Sequence, residues 1–294
     1  MGLTLQRLGD AAGTQGIGVN RVRIEPGRLS TPPHSHAASE EIFFVLAGSG
    51  LLWQDEHVCA LSKDDTIVHL PDREEHTIRA GPEGLEYVVF GTRHPVEYGW
   101  LPRSRAMRFG YLWLEGRDDN PWEIEAEVGE LEFAEPGERR SNVVALSDVE
   151  IDEDGDRMVA QAGGSVATGM KWSRREPGAE LAIPHCHSEE EEAFVVLEGD
   201  GTLELWPSPV PTARGAKRET LSIRAGHVIA RPPGTRVSHF IKAGANGMTC
   251  LVYGTRKPND IVYYPRSNKI AWRGVGVLGR IENLDYWDGE PSGE

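Results

Sequence analysis

The stretch from Gly27 to Gly48, GRLSTPPHSHAASEEIFFVLAG, returns from Gly178 to Gly199 as GAELAIPHCHSEEEEAFVVLEG. His34-Ser35-His36 falls on His185-Cys186-His187 at an offset of 151, and so do Glu25-Pro26-Gly27 on Glu176-Pro177-Gly178 and Gly48 on Gly199. Further along the offset is 163: His76 matches His239, Gly91-Thr92-Arg93 matches Gly254-Thr255-Arg256, and Pro102-Arg103-Ser104 matches Pro265-Arg266-Ser267. The second copy therefore carries an insertion of 12 residues, most of it in the turn-rich stretch from Pro207 to Arg218, which reads as a surface hairpin loop. Matches in one order from Glu25 to Ser104 describe a duplicated unit.

Each unit reads as β-structure. Arg21 to Ile24 alternates polar and apolar residues, and Gly, Pro and Asp punctuate short runs at regular intervals, as in a sandwich or barrel. No amphipathic helix stands out. Ile42 to Leu46 and Ala193 to Leu197 are apolar on both faces, so the face turned away from the barrel must be covered by the other barrel, a second sheet layer or another subunit. On a strand, residues two apart share a face, so His34 and His36 present both imidazoles to one point while Ser35 turns away. Glu41 opens the next strand and His76 comes from a third. In the second unit the corresponding residues are His185, His187, Glu192 and His239. Imidazoles and a carboxylate converging inside a barrel suit a divalent first-row metal with open positions: Fe, Mn, Ni, Cu or Zn, up to one ion per barrel. Within the run Glu189 to Glu192, Glu192 keeps the interval to Gly199 that Glu41 keeps to Gly48.

These motifs resemble the cupin superfamily: a glycine, a spaced His-x-His, a glutamate and a further glycine, then a second motif running from Gly-Asp through Pro to His. The resemblance covers both halves and implies an all-β chain of two tandem cupin barrels (jelly-roll, double-stranded β-helix), each with a three-histidine, one-glutamate site. The expected division is a barrel at 1–116, an acidic linker at 117–140 and a second barrel at 141–294. Val143 to Leu146 is expected to open the second barrel, as Leu5 to Leu8 opens the first, and Leu131 to Ala134 is a candidate strand. Two departures mark the first unit: Asp64 stands at the opening glycine of its second motif and Arg73 at an internal one. In the second unit the run from Pro233 to His239 is one residue longer than that from Pro71 to His76. Arg73, on the loop leading to His76, is the candidate anchor for a substrate carboxylate, against a solvent-facing role. Arg93, Arg103, Arg256 and Arg266 recur in pairs and read better as structural ion pairs. Cys186, between two ligands, reads as core packing, and His57, His69, His94 and His227 lie outside the motifs.

A fold shared by dioxygenases, decarboxylases, isomerases and storage proteins does not choose the reaction. The leading expectation is a metal-dependent oxygenase of the dioxygenase type acting on a small oxygenated organic molecule. The alternatives are a small-carboxylate decarboxylase, a sugar isomerase, and a non-catalytic ligand-binding or structural protein. Gly48-x-Gly50 and Gly199-x-Gly201 read as barrel turns, since no helix follows them as a dinucleotide loop requires. A net charge of −15 argues against nucleic acid. Three scattered cysteines and the lack of a long apolar run suggest a cytoplasmic protein with no membrane contact. The expected partner is a small-molecule substrate, and the doubly apolar strands allow a homo-oligomer.

Overall fold

The computed structural model of the protein describes residues 2–109, 112–113 and 121–291. The boundary expected at 116–117 lies outside these residues. The chain forms two barrels built from matching strands. In the first, a large sheet runs in the order Leu3–Arg7, Ile17–Ile24, His76–Thr92, Glu41–Gln54, Asp65–His69, Val143–Ala145, with His57–Ser62 also paired to Glu41–Gln54. A small sheet holds Ser35–His36, Tyr98–Leu101, Ala106–Phe109 and Leu112–Trp113. The second barrel repeats the plan with Thr168–Arg175, Val237–Thr255, Glu192–Pro207 and Glu219–Arg224 in its large sheet and Val228–Arg231 beside Glu192–Pro207. Its small sheet runs Cys186–His187, Ile261–Tyr264, Lys269–Trp272, Val277–Arg280. Among the described residues, no helix exceeds seven residues, and none is long and apolar enough to cross a membrane.

Three expectations change. Val143–Ala145, placed at the head of the second barrel, pairs with Asp65–Ile67 of the first. Its backbone finds an open edge there, because among the described residues nothing else pairs on that side of Asp65–His69. Leu131 to Ala134 forms no strand, and the segment after it straps onto the first barrel: Gly137 N donates to Val58 O, and Arg139 pairs with the buried Asp65 at 2.6 Å. The glycine pairs are bulges inside the long strands Glu41–Gln54 and Glu192–Pro207, where register shifts. Gly48 has φ +81°, and a Cβ there would lie 2.2 Å from Gly84 O; at Gly199 the same atom would lie 2.0 Å from Gly247 O. The strand bends at these points so that one run serves two parts of the barrel wall. The insertion after Pro207 carries the short helix Pro209–Ala213 and replaces the tight Asp55-Glu56 turn of the first barrel.

Each barrel has its own interior core, Leu52, Ile67, Ile78 and Tyr87 among the first set and Leu203, Ile223, Ile241 and Met248 among the second. A third core lies between the barrels, where Ile42, Phe44, Val88 and Phe90 meet Ala193, Val195, Leu251 and Tyr253. Phe90 stacks on Tyr253 with ring centroids 4.9 Å apart. The second face of the doubly apolar strands is thus covered by the partner barrel. Two glutamates tie the joint. Glu40, fully buried, accepts from Ser165 Oγ (2.6 Å), Thr168 Oγ1, Val166 N (2.9 Å) and Ala167 N (3.0 Å). Glu191, its counterpart, accepts from Gln15 N at 2.7 Å and Gly16 N at 2.5 Å.

Candidate metal centres

Strand pairing brings the first set together. His34 and His76 are bonded backbone to backbone, Glu41 lies at the start of the strand paired with both His69 and Gly91, and His36 sits two residues beyond His34. One ligand atom from each of His34, His36, Glu41 and His76 falls in a group all within 4.8 Å of one another. His36 Nε2 and His76 Nε2 stand 3.3 and 3.5 Å from Glu41 Oε2. Two donors each ~2.1 Å from one ion, at roughly tetrahedral or octahedral angles, lie about 3.0–3.5 Å apart, so the spacing fits a shared ion. His76 is 4% exposed against 23% for His36 and 20% for Glu41, so the site opens at one rim.

The second set repeats this. His185, His187 and Glu192 form a group within 4.8 Å, and His239 Nε2 lies 3.0 Å from Glu192 Oε2 while falling outside that tightest group. The extra residue before His239 is taken up by an earlier strand start, at Val237. His185 and His187 stand 3.5 and 3.4 Å from the same carboxylate oxygen. The Nε2 atoms of His36, His76, His187 and His239 are buried without a hydrogen bond, as is Glu192 Oε2. Buried polar atoms are seldom left so, and here they converge, which is how ligand atoms face a cation.

Second partners orient the rings. His34 Nδ1 lies 3.0 Å from Pro32 O, His76 Nδ1 3.2 Å from Glu74 O, and His185 Nδ1 2.7 Å from Ile183 O. An Nδ1–H held by a carbonyl leaves Nε2 with its lone pair for a metal. For the other histidines the partner is a carboxylate: Glu97 Oε1 at 3.5 Å from His36 Nδ1, and Asp260 Oδ2 at 2.7 Å from His187 Nδ1. Burial alone lowers an imidazole, yet Glu41 and Glu97 raise His36 to about 10, and Asp260 and Glu192 raise His187 to about 10. Burial and the adjacent imidazoles of His76 and His36 lower His34 to about 3. Glu41 and Glu192 are held well below the ordinary carboxylate range: burial opposes this, and the surrounding histidines outweigh it. Both centres therefore present anionic carboxylates that a cation would neutralise.

Sequence reasoning missed what flanks the ligands. His69, one of the histidines outside the motifs, is 2% exposed and stacks on His76 with ring centroids 3.6 Å apart and planes 7° apart. Burial, reinforced by His76, keeps it neutral. Gln54 Nε2 lies 3.4 Å from His69 Nδ1, and His69 Nε2 and Gln54 Oε1 are both buried without a hydrogen-bond partner. Phe43 and Tyr87 close the wall behind it. Opposite Glu192, where the first barrel has His69 opposite Glu41, the second barrel has Arg231. With Pro71 set on Pro233, the His69-to-Arg231 exchange was readable from the repeat, as was the Glu97 and Asp260 match after Pro95 and Pro258.

The other candidates fall elsewhere. Arg73 is exposed on its loop and makes no ion pair among the described residues. Arg93 pairs with Asp10, Arg103 with Glu125 at 3.4 Å and Arg266 with Glu180 at 2.7 Å, while Arg256 donates to Ser165 O at 3.3 Å: all four are structural. Cys186 is half-buried on its two-residue strand opposite Tyr263, and the core thiols are Cys59 and Cys250.

Residues 20–91 match the cupin domain family. The chain is a cupin-domain protein. No curated protein matches it significantly. Among solved structures, the Bacillus subtilis oxalate decarboxylase with Mn(II) centres superposes at TM-score 0.59 with 15% identity, over 88% of this chain and 74% of that one. A Lactobacillus farciminis oxalate decarboxylase in a formate complex gives TM-score 0.58 and 14% identity over 86% and 81%. A Silicibacter pomeroyi cupin described as a sugar phosphate isomerase matches at 28% identity and TM-score 0.37, over 39% of this chain and 78% of its own. At such identities the two decarboxylases establish the cupin fold across both halves.

Proposed function

We propose that this cupin is a metal-dependent oxygenase of the dioxygenase kind, acting on a small oxygenated organic molecule in the first barrel. The observation that carries the reading is the convergence of His34, His36, Glu41 and His76 beside His69, whose buried Nε2 has no hydrogen-bond partner. Three imidazoles and one carboxylate leave two positions on a six-coordinate ion, room for a substrate oxygen and O2 side by side. A bound redox-active ion supplies Lewis acidity and electron exchange with O2, a role that zinc does not fill. The rest belongs to the chain. His69 donates its Nε2–H to a substrate oxygen and sets the substrate's orientation, with Gln54 beside its Nδ1. Phe43 and Tyr87 keep that side of the site dry, and the rim at His36 and Glu41 is the entry. Insertion of both atoms of O2 into the substrate needs no separate reductant.

The test is anaerobic reconstitution with Fe(II), Mn(II), Ni(II) and Cu(II), each followed by O2-uptake assays on enols, diols and diketones. Uptake coupled to substrate loss is expected with one ion. No uptake with any ion overturns the reading, and CO2 release without O2 consumption replaces it with decarboxylation.

A further inference from the structure

Glu192 and Arg231 are direct cross-strand partners, so both side chains leave the same face of the sheet, the face turned to the second metal centre. Arg231 Nη2 donates to Val237 O at 2.7 Å, two residues before His239 on the strand that delivers that ligand. The guanidinium is thereby pinned between the strand of Glu192 and that of His239. Arg231 Nε is buried without a hydrogen-bond partner. Among the described residues no carboxylate lies within ion-pair distance of it. A half-buried cation with an unused donor beside a metal site is costly unless an anion completes it.

We infer that the second barrel binds a small carboxylate between Arg231 and its metal ion, a ligand class that the first barrel, with His69 at the matching position, does not select. The guanidinium fork offers two parallel N–H bonds to a carboxylate, and Nε is one of the donors such a pair uses. A monocarboxylate, or one end of a dicarboxylate, fits this arrangement. An uncharged amide of the same shape lacks the charge that Arg231 is placed to meet. The two barrels then divide the work: the first takes a neutral oxygenated molecule beside His69, the second an anion beside Arg231. This inference rests on metal binding by the second barrel, one part of the functional reading above.

The experiment uses the full chain carrying His36→Ala to disable the first centre, loaded with Mn(II). Bound metal is counted first. Acetate, malonate and acetamide are then titrated by calorimetry and by the Mn(II) EPR line shape, with and without Arg231→Gln and Arg231→Lys. The expected result is one equivalent of Mn(II) in every variant, with carboxylate but not acetamide binding in the parent. Arg231→Gln should weaken carboxylate binding at least tenfold, and Arg231→Lys should restore part of it. If Mn(II) is retained and Arg231→Gln binds acetate and malonate as the parent does, the carboxylate site is refuted while the metal centre stands. The site is equally refuted if Arg231→Gln alters only Mn(II) affinity, since Arg231 then serves as a counter-charge to Glu192. If the second barrel takes up no metal, the metal reading fails and the proposal falls with it.

Discussion

Replacing Glu40 with alanine should loosen the joint between the barrels more than any other single change there. The wild-type carboxylate is fully buried and accepts four hydrogen bonds, two from hydroxyls and two from backbone N–H groups. Of the donors left behind, Ser165 Oγ can turn to Thr168 O, 2.7 Å away, but the N–H groups of Val166 and Ala167 make no other hydrogen bond among the described residues. Breaking a buried charged cluster of this kind costs about 3–5 kcal/mol. Glu191→Ala orphans two backbone N–H groups and no hydroxyl, so it should cost about half as much. Glu40→Gln keeps the shape and some of the bonds and should cost about 1–2 kcal/mol. A chain of this length unfolds with an entropy near 0.6 kcal/mol/K, so Glu40→Ala should lower Tm by about 6 °C. Urea denaturation followed by tryptophan fluorescence, with calorimetry alongside, gives the three values. The reasoning is refuted if Glu40→Ala lies within about 0.5 kcal/mol of wild type, or if Glu191→Ala costs more than Glu40→Ala.

Four further outcomes are expected. His36→Ala and His187→Ala should each remove one equivalent of bound metal and leave the other in place, read by elemental analysis of the purified protein. Asp260→Asn should weaken metal binding in the second barrel by about 10–100-fold, because it removes the carboxylate 2.7 Å from His187 Nδ1; competition with a chelating dye measures this. His69→Phe should keep the metal while cutting turnover by about 10²-fold, with kcat falling more than KM rises, since it removes a donor to the reacting substrate. Asp156 gives a pH test. Burial pushes its carboxyl up, but hydrogen bonds from Lys171, Ser173 and Arg175 bring it below the ordinary value. Its stabilisation is therefore present above the unfolded value and lost as pH falls through the folded one. The gap in urea midpoint between wild type and Asp156→Asn should accordingly be widest at pH 7 and narrow steadily as pH falls below the ordinary carboxylate range; a constant gap would show that its charge carries no stability.

The cupin barrels, and the gathering of His34, His36, Glu41 and His76 and of His185, His187 and Glu192, were legible because each depends on short-range rules: strand alternation aims His34 and His36 together, and one spacing is repeated at Glu41 and Glu192. What escaped depends on pairing between distant strands. His69 reads as one spare histidine until Asp65–His69 is laid antiparallel to Glu41–Phe44, which stacks it on His76. Val143–Ala145 looks like the start of a new unit, because no local pattern announces an open edge at Asp65. Glu40 and Glu191 look like ordinary members of acidic runs; only the joint between barrels makes them buried acceptors. Arg73 looks promising from its place near His76, yet sequence proximity does not aim a long side chain, and it points to solvent.

The joint itself has an evolutionary consequence. Glu40 grips the turn after Gly164 as Glu191 grips the turn after Gly13, and Phe90 faces Tyr253, so the contact is close to self-complementary. Such a surface is what an ancestral single barrel would have used to pair with a copy of itself. After fusion the two outer faces no longer had to be identical, only to fit each other: Ile42 and Phe44 stand where the second copy has Ala193 and Val195, and Phe90 where it has Tyr253. The inner faces kept the same three histidines and glutamate and differ beside them, imidazole at 69 and guanidinium at 231.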